Sequence, residues 1–351
     1  MKTMTKALGI AGAIAIASCM QTLAAQDIAG VRKTSIFSDE RQADLEVTIW
    51  YPASGSGEAV TLGENIFFEG TPAAMGAPLR DGVFPLVVLS HGAGLAGTAD
   101  AMSWIAAPLA EAGFVVVAPT HPGNTGRNRS AEETMKLWLR PSDLSDALDA
   151  IETDPTFSPH VASEQIGVLG LSMGGNTALS IVGARLDPEL FARYCDTDEL
   201  NASLCDWVRL CGVDLHAMDK AVAGRDNTDP RVRFAMAIDP APADIFTSAS
   251  LAGVSVPVSI VNLGDAAEIP KTIQASGIAD AVPHATYQVI EEASHASMFP
   301  ECKTNAAEIA IEEGIEDPIC TDGIGASRSA IHTQLIDMTI ASFQNAIKTA
   351  D

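Results

Sequence analysis

Apolar residues follow two rhythms along this chain. Leu45-Glu46-Val47-Thr48-Ile49-Trp50-Tyr51 alternates, as a strand with one buried face does. Residues 84–89 and 113–118 are continuous apolar runs, FPLVVL and GFVVVA, which suit strands covered on both faces of a parallel sheet. Further strands are predicted at 166–169, 233–238, 258–261 and 286–290. Helical stretches are predicted between or after them at 99–112, 141–153, 173–185, 269–281 and 328–347. Strands alternating with helices predict an α/β fold, doubly wound around a mostly parallel sheet. Residues 52–82, rich in Gly, Pro and Ala, read as a long loop.

One interval is longer than a plain crossover needs. Nearly fifty residues separate the helix at 173–185 from the strand at 233, so 186–232 is read as a lid insertion. A second insertion spans about 300–325. Residues 26–351 are otherwise expected to form one domain. The chain has 351 residues, 47% of them hydrophobic and 19% charged, enough for a sizeable core.

Residues 1–25 read as a signal peptide: Lys2 and Lys6, an apolar stretch from Ala7 to Ser18, then Thr22-Leu23-Ala24-Ala25. The expectation is export to a periplasmic or secreted location. Ile16-Ala17-Ser18-Cys19 offers the alternative of a lipoprotein anchored through Cys19. No later apolar run approaches the roughly 18 residues of a membrane span. An oxidising compartment favours disulfides. Cys302 and Cys320 are the preferred pair, Cys195 pairs with Cys205 or Cys211, and one thiol is left over. No Cys-x-x-Cys or His-Glu-x-x-His occurs, so neither a metal nor a cofactor is expected. The formal charge of −24 excludes nucleic acid and anionic membrane surfaces as partners. It leaves a neutral or cationic small-molecule substrate, and the oligomeric state stays open.

The chemistry concentrates at Gly170-Leu171-Ser172-Met173-Gly174-Gly175, between a predicted strand and a predicted helix. The Gly-x-Ser-x-Gly pattern alone is common. In a strand-to-helix context it marks a turn so tight that both flanks must be glycine and the serine is lifted above the sheet as a nucleophile. A serine hydroxyl needs a base, and the base needs an orienting acid. Chain order in such enzymes is Ser, acid, His. His295, in the loop after the strand at 286–290, is the expected base, whereas His332 lies inside the final helix. Asp239 and Asp265 each end a strand and either could reach the base; Asp239 is preferred. The oxyanion donors are expected to be the N–H groups of Met173 and of Ala93, in Ser90-His91-Gly92-Ala93-Gly94. His91 itself is expected to be structural.

Those segments, with Ile238-Asp239-Pro240 and Ser294-His295, resemble the secreted type II platelet-activating-factor acetylhydrolases and bacterial dienelactone-hydrolase-like proteins, over about residues 84–300. The resemblance implies an α/β-hydrolase fold, puts the acid on Asp239 and puts an oxyanion N–H on Ala93. Dienelactone hydrolases proper carry cysteine where this chain has Ser172. The reading is an exported serine esterase preferring short acyl groups. The alternatives are an amidase or peptidase, an acyltransferase, or a catalytically silent binding protein on the same fold.

Overall fold

The computed structural model describes residues 28–124, 128–267, 269–315 and 317–348. The signal-peptide segment and Cys19 lie outside the described residues. The chain builds one ten-stranded sheet: β1 (Gly30–Ser38), β2 (Ala43–Tyr51), β3 (Glu58–Leu62), β4 (Thr71–Met75), β5 (Phe84–Ser90), β6 (Val115–Pro119), β7 (Val161–Leu171), β8 (Val232–Ile238), β9 (Val258–Leu263) and β10 (Ala285–Ile290). The helices are α1 (Ser103–Glu111), α2 (Ala131–Met135), α3 (Arg140–Thr153), α4 (Met173–Ser180), α5 (Pro188–Arg193), α6 (Ala202–Leu210), α7 (Lys220–Ala223), α8 (Ser248–Leu251), α9 (Ser276–Ala281), α10 (Ala306–Glu312) and α11 (Arg328–Lys348).

The spatial order is β10-β9-β8-β7-β5-β6-β2-β1-β4-β3. From β6 to β10 every neighbour pair is parallel, while β2 joins β6 antiparallel. The chain leaves β5 for β6 on one side and then crosses to β7 on the other. That reversal opens a crevice at the carboxyl ends of β5 and β7, where ligands bind in sheets of this kind.

Alternation along the apolar strands divides the core in two. Leu86 and Val88 of β5 and Val168 of β7 face α3 and α4 with Leu144, Leu148 and Leu179. Val87, Leu89 and Leu169 face α1 and α11 with Ile105, Leu109, Leu335 and Phe343. Continuous apolar sequence is therefore two interleaved faces, each covered by helices.

The expected loop at 52–82 holds β3 and β4 instead, which extend the sheet beyond β1. These five-residue strands carry Thr and Pro beside their apolar residues and bury them only in part, so no clear alternation marks them. Strand β1 pairs along its length with β2. The helix expected at 269–281 is confined to Ser276–Ala281, because Pro270 and the turns around it precede it.

The 186–232 insertion contributes Phe191, Tyr194, Val208 and Leu215 to the α3–α4 face, with Phe191 edge-on to Trp138 at 5.7 Å. Cys195 and Cys205 are joined by a disulfide, and Cys211 is free and exposed. Cys302 and Cys320 are joined across the second insertion. None of the described helices is long and apolar enough to cross a membrane.

Candidate active site

The elbow is a steric construction. A Cβ on Gly170 would lie 1.9 Å from the Gly174 carbonyl oxygen, and one on Gly174 would lie 1.9 Å from the Ser90 carbonyl oxygen. Only hydrogen fits at either position. Ser172, between them, has φ 55° and ψ −120°, a conformation that L-residues rarely adopt. It is held by its N–H on the Ile238 carbonyl (2.9 Å), and its own carbonyl accepts from Gly175 and Ala241.

Three side chains expected from sequence meet at the ends of three different strands. Ser172 Oγ lies 3.1 Å from His295 Nε2, and His295 Nδ1 lies 2.9 Å from Asp239 Oδ2. Asp239 is fully buried while His295 is 38% exposed, so the chain of contacts runs from the interior to the surface. Asp239 has φ 44°, the second strained residue at this edge. Its other oxygen accepts from the Leu263 N–H (2.7 Å) and Asn262 Nδ2 (2.8 Å). Asn262 is itself fixed by the Ile273 carbonyl, the Ala275 N–H and the Tyr287 hydroxyl. Asp265, the alternative acid, is exposed, and its carboxylate accepts the Ala267 N–H in a tight turn.

Among the described residues, neither the Ala93 nor the Met173 N–H has an acceptor in the protein. Met173 opens α4, where first-turn N–H groups have no intrahelical partner. Gly92 brings the loop close: a Cβ there would be 3.2 Å from Ser172 Cβ and 3.7 Å from its Oγ. Beside the serine is a depression lined by Ala93, Ala96, Met102, Leu171, Met298 and Phe299, together with Gly92, Ser172 and His295. No described residue of 186–232 lines it.

His295 sits on a single 3-10 turn, His295–Met298, closed by reciprocal Ser294 and Ser297 hydrogen bonds. Its support comes from the disulfide-tied insertion and α11. Ser294 Oγ donates to the Thr321 carbonyl (2.7 Å) and Ser297 Oγ to Asp322 Oδ1 (2.7 Å), which Arg328 also engages at 3.0 Å. Trp104 Nε1 donates to the Met298 carbonyl. His332 Nε2 donates to the Ser297 and Phe299 carbonyls while its ring stacks on Trp104 at 3.8 Å.

A buried polar network lies behind the Ser90–Gly94 loop, and sequence reading missed it. Ser90 Oγ donates to His121 Nε2 (2.8 Å), and His121 Nδ1 donates to Asp143 Oδ2 (2.7 Å). Arg41 binds both Asp143 oxygens, at 2.9 and 2.7 Å. His91 Nε2 accepts the His121 N–H, so its Nδ1–H donates to the Gly92 carbonyl. Ser90, His91, His121 and Asp143 are completely buried, which makes this second Ser-His-Asp chain a scaffold. The signal was available only as histidine and serine at strand ends, with no spacing to link them.

Burial, together with the charges of Arg140 and Arg41, holds His121 well below the usual histidine range. His91 is lowered by burial and then by His121 and Arg140. His332 is lowered to about 4, mainly by burial, with Arg328 adding to the effect and the two carbonyls and Asp322 opposing it.

The chain matches the sequence pattern of the Alpha/beta hydrolase family over residues 87–310. No curated protein matches it. It is similar to the ferulic acid esterase from Streptomyces cinnamoneus, at 16% identity and a TM-score of 0.59, over 92% of this chain and 91% of that one. It is also similar to the dienelactone hydrolase from Anabaena variabilis, at 14% identity and a TM-score of 0.49, over 90% and 98%.

The buried histidines predict a pH dependence of stability. Each stays neutral in the fold but gains a proton in the unfolded chain below about pH 6.5. The unfolded state then binds more protons, so stability is lost as the pH drops below about 6.5. The loss should be about 1.4 kcal/mol per pH unit for each histidine. Urea unfolding at pH 7 and pH 5 should show the loss, and His332→Gln, which keeps an N–H donor, should reduce its slope. Equal slopes in the two proteins would mean that His332 protonates within the fold.

Proposed function

Because the chain belongs to the Alpha/beta hydrolase family, we propose that it is an exported serine hydrolase cleaving carboxylic esters of short acyl groups. The observation that carries this reading is the continuous line from Asp239 through His295 to Ser172, at 2.9 and 3.1 Å, at the carboxyl edge of the sheet. In that line His295 Nε2 takes the Ser172 proton as Oγ attacks the ester carbonyl. Asp239 holds Nδ1–H and so presents the correct tautomer. The Ala93 and Met173 N–H groups receive the oxyanion, and His295 returns the proton to the leaving alcohol. Water then attacks the acyl-serine by the same route. An esterase is among the proteins that share the fold.

Export rests on the signal-like first 25 residues and the two disulfides. Residues 186–232 act as a cover at the rim in this reading, supported by Arg129, beyond β6, stacking on Trp207 of α6 at 4.6 Å. The acyl preference rests on the depression beside Ser172. Met102, Leu171, Met298 and Phe299 make it apolar.

Ser172→Ala should abolish ester hydrolysis while leaving the unfolding midpoint near that of the parent. Asp239→Asn should lower kcat by about 10⁴-fold, and Asp265→Asn should change it little. Steady-state assays check both, and the reverse ranking of the two Asp variants would move the acid to β9. Across p-nitrophenyl esters, kcat/KM should peak at acetyl or butyryl, since that ratio measures differential transition-state binding. An optimum at long chains, or activation at a lipid interface, would contradict the short-acyl assignment.

A further inference from the structure

Arg140 is an anomaly. It is 1% exposed at the start of α3, yet among the described residues it forms no ion pair. Asp143, one turn along the same helix, is already taken by Arg41 and His121. Burying a guanidinium is costly, and burying one against neutral acceptors is not how stability is gained. Its Nη1 is buried without a hydrogen-bond partner among the described residues.

The two acceptors it does have are informative. Nη2 donates to the His91 carbonyl, on the loop that carries Ala93. Nε donates to Thr177 Oγ1 at 3.1 Å, and that hydroxyl donates to the Met173 carbonyl at 3.1 Å. One rigid, planar group thus joins the segment bearing one oxyanion donor to the helix turn bearing the other. The opposite restraint is the contact between Gly174 and the Ser90 carbonyl, which stops the two segments from approaching further. We propose that Arg140 is a positioning residue that sets the separation of the Ala93 and Met173 N–H groups by tying the His91 carbonyl to the first turn of α4.

The inference rests on the oxyanion assignment of the proposed function. It explains why the group is a guanidinium. An ammonium is a point donor on a flexible stem and cannot hold two acceptors in fixed geometry. Oxyanion donors act only within about 2.7–3.1 Å of the charge that develops, so a small change in their separation is felt in the transition state and little in the ground state.

The test uses the full chain and three variants, Arg140→Lys, Arg140→Met and Thr177→Val. Active sites are titrated first with a fluorophosphonate, so that every rate refers to folded, reactive enzyme. The readouts are kcat and KM on p-nitrophenyl butyrate and the Ki of an alkyl trifluoromethyl ketone, whose hemiketal oxyanion occupies the same place as the transition-state oxygen. All three variants should lower kcat per titrated site by roughly 10- to 100-fold, less than outright deletion of a donor. The Ki should rise by a similar factor, and KM should stay within about threefold. A purely structural role would reduce the number of titratable sites and leave kcat per site and Ki unchanged, and that result would overturn the proposal. If the Arg140 variants do not fold, Thr177→Val decides alone, since it removes one acceptor without changing side-chain shape. Hydrolysis that survives Ser172→Ala would instead sink the underlying reading of the site.

Discussion

Two backbones touch where the Ser90 carbonyl faces Gly174, and a Cβ on that glycine would lie 1.9 Å from the oxygen. The rest of the site follows from this contact. It lets the end of β5 and the start of α4 come close together, which the proposed oxyanion site requires. It also forces Ser172 into a strained conformation that aims Oγ out of the sheet. The strain is held by the surrounding ladder: β7 pairs with β5 and β8 on either side, and the Ser172 N–H and carbonyl are engaged by residues of the β8 edge.

A contact that only prevents closer approach does not fix a distance, so attractive restraints are needed as well. Behind the Ser90–Gly94 loop they come from the buried Ser90, His121, Asp143 and Arg41 chain and from Arg140. Around His295 they come from Trp104, His332, Thr321 and Asp322. The single turn that carries His295 is too short to hold itself. The Cys302–Cys320 bridge closes the insertion that supplies Thr321 and Asp322. In the chain behind the Ser90–Gly94 loop the Asp143 carboxylate is matched by Arg41, whereas the Arg140 guanidinium has only neutral hydrogen-bond acceptors.

The parallel core was legible because residues 86–89, 114–118 and 234–238 are buried without a break, and uninterrupted apolar sequence is a strong signal. The elbow was legible because its steric demands leave only glycine at two positions. Asp239 could be ranked above Asp265 but not separated from it by pattern. What separates them is the β8–β9 register and the Asn262 bracket, which are properties of the assembled sheet. Strands β3 and β4 were not legible, since half-buried five-residue segments carry little period-2 signal. The network of Ser90, His121, Asp143 and Arg41 draws on four places far apart in the chain, so no local pattern could reveal it. The same holds for Arg140, a charged residue at a helix start that reads as surface until its burial is seen.

The central claim is that Ser172 Oγ is a nucleophile activated by His295. Its most direct measurement is peptide mapping by mass spectrometry after brief exposure to a fluorophosphonate. The account predicts one adduct per chain, on the peptide containing Ser172, formed at a rate that collapses in His295→Ala. An adduct on another serine, or labelling of Ser172 at an unchanged rate without His295, would contradict it.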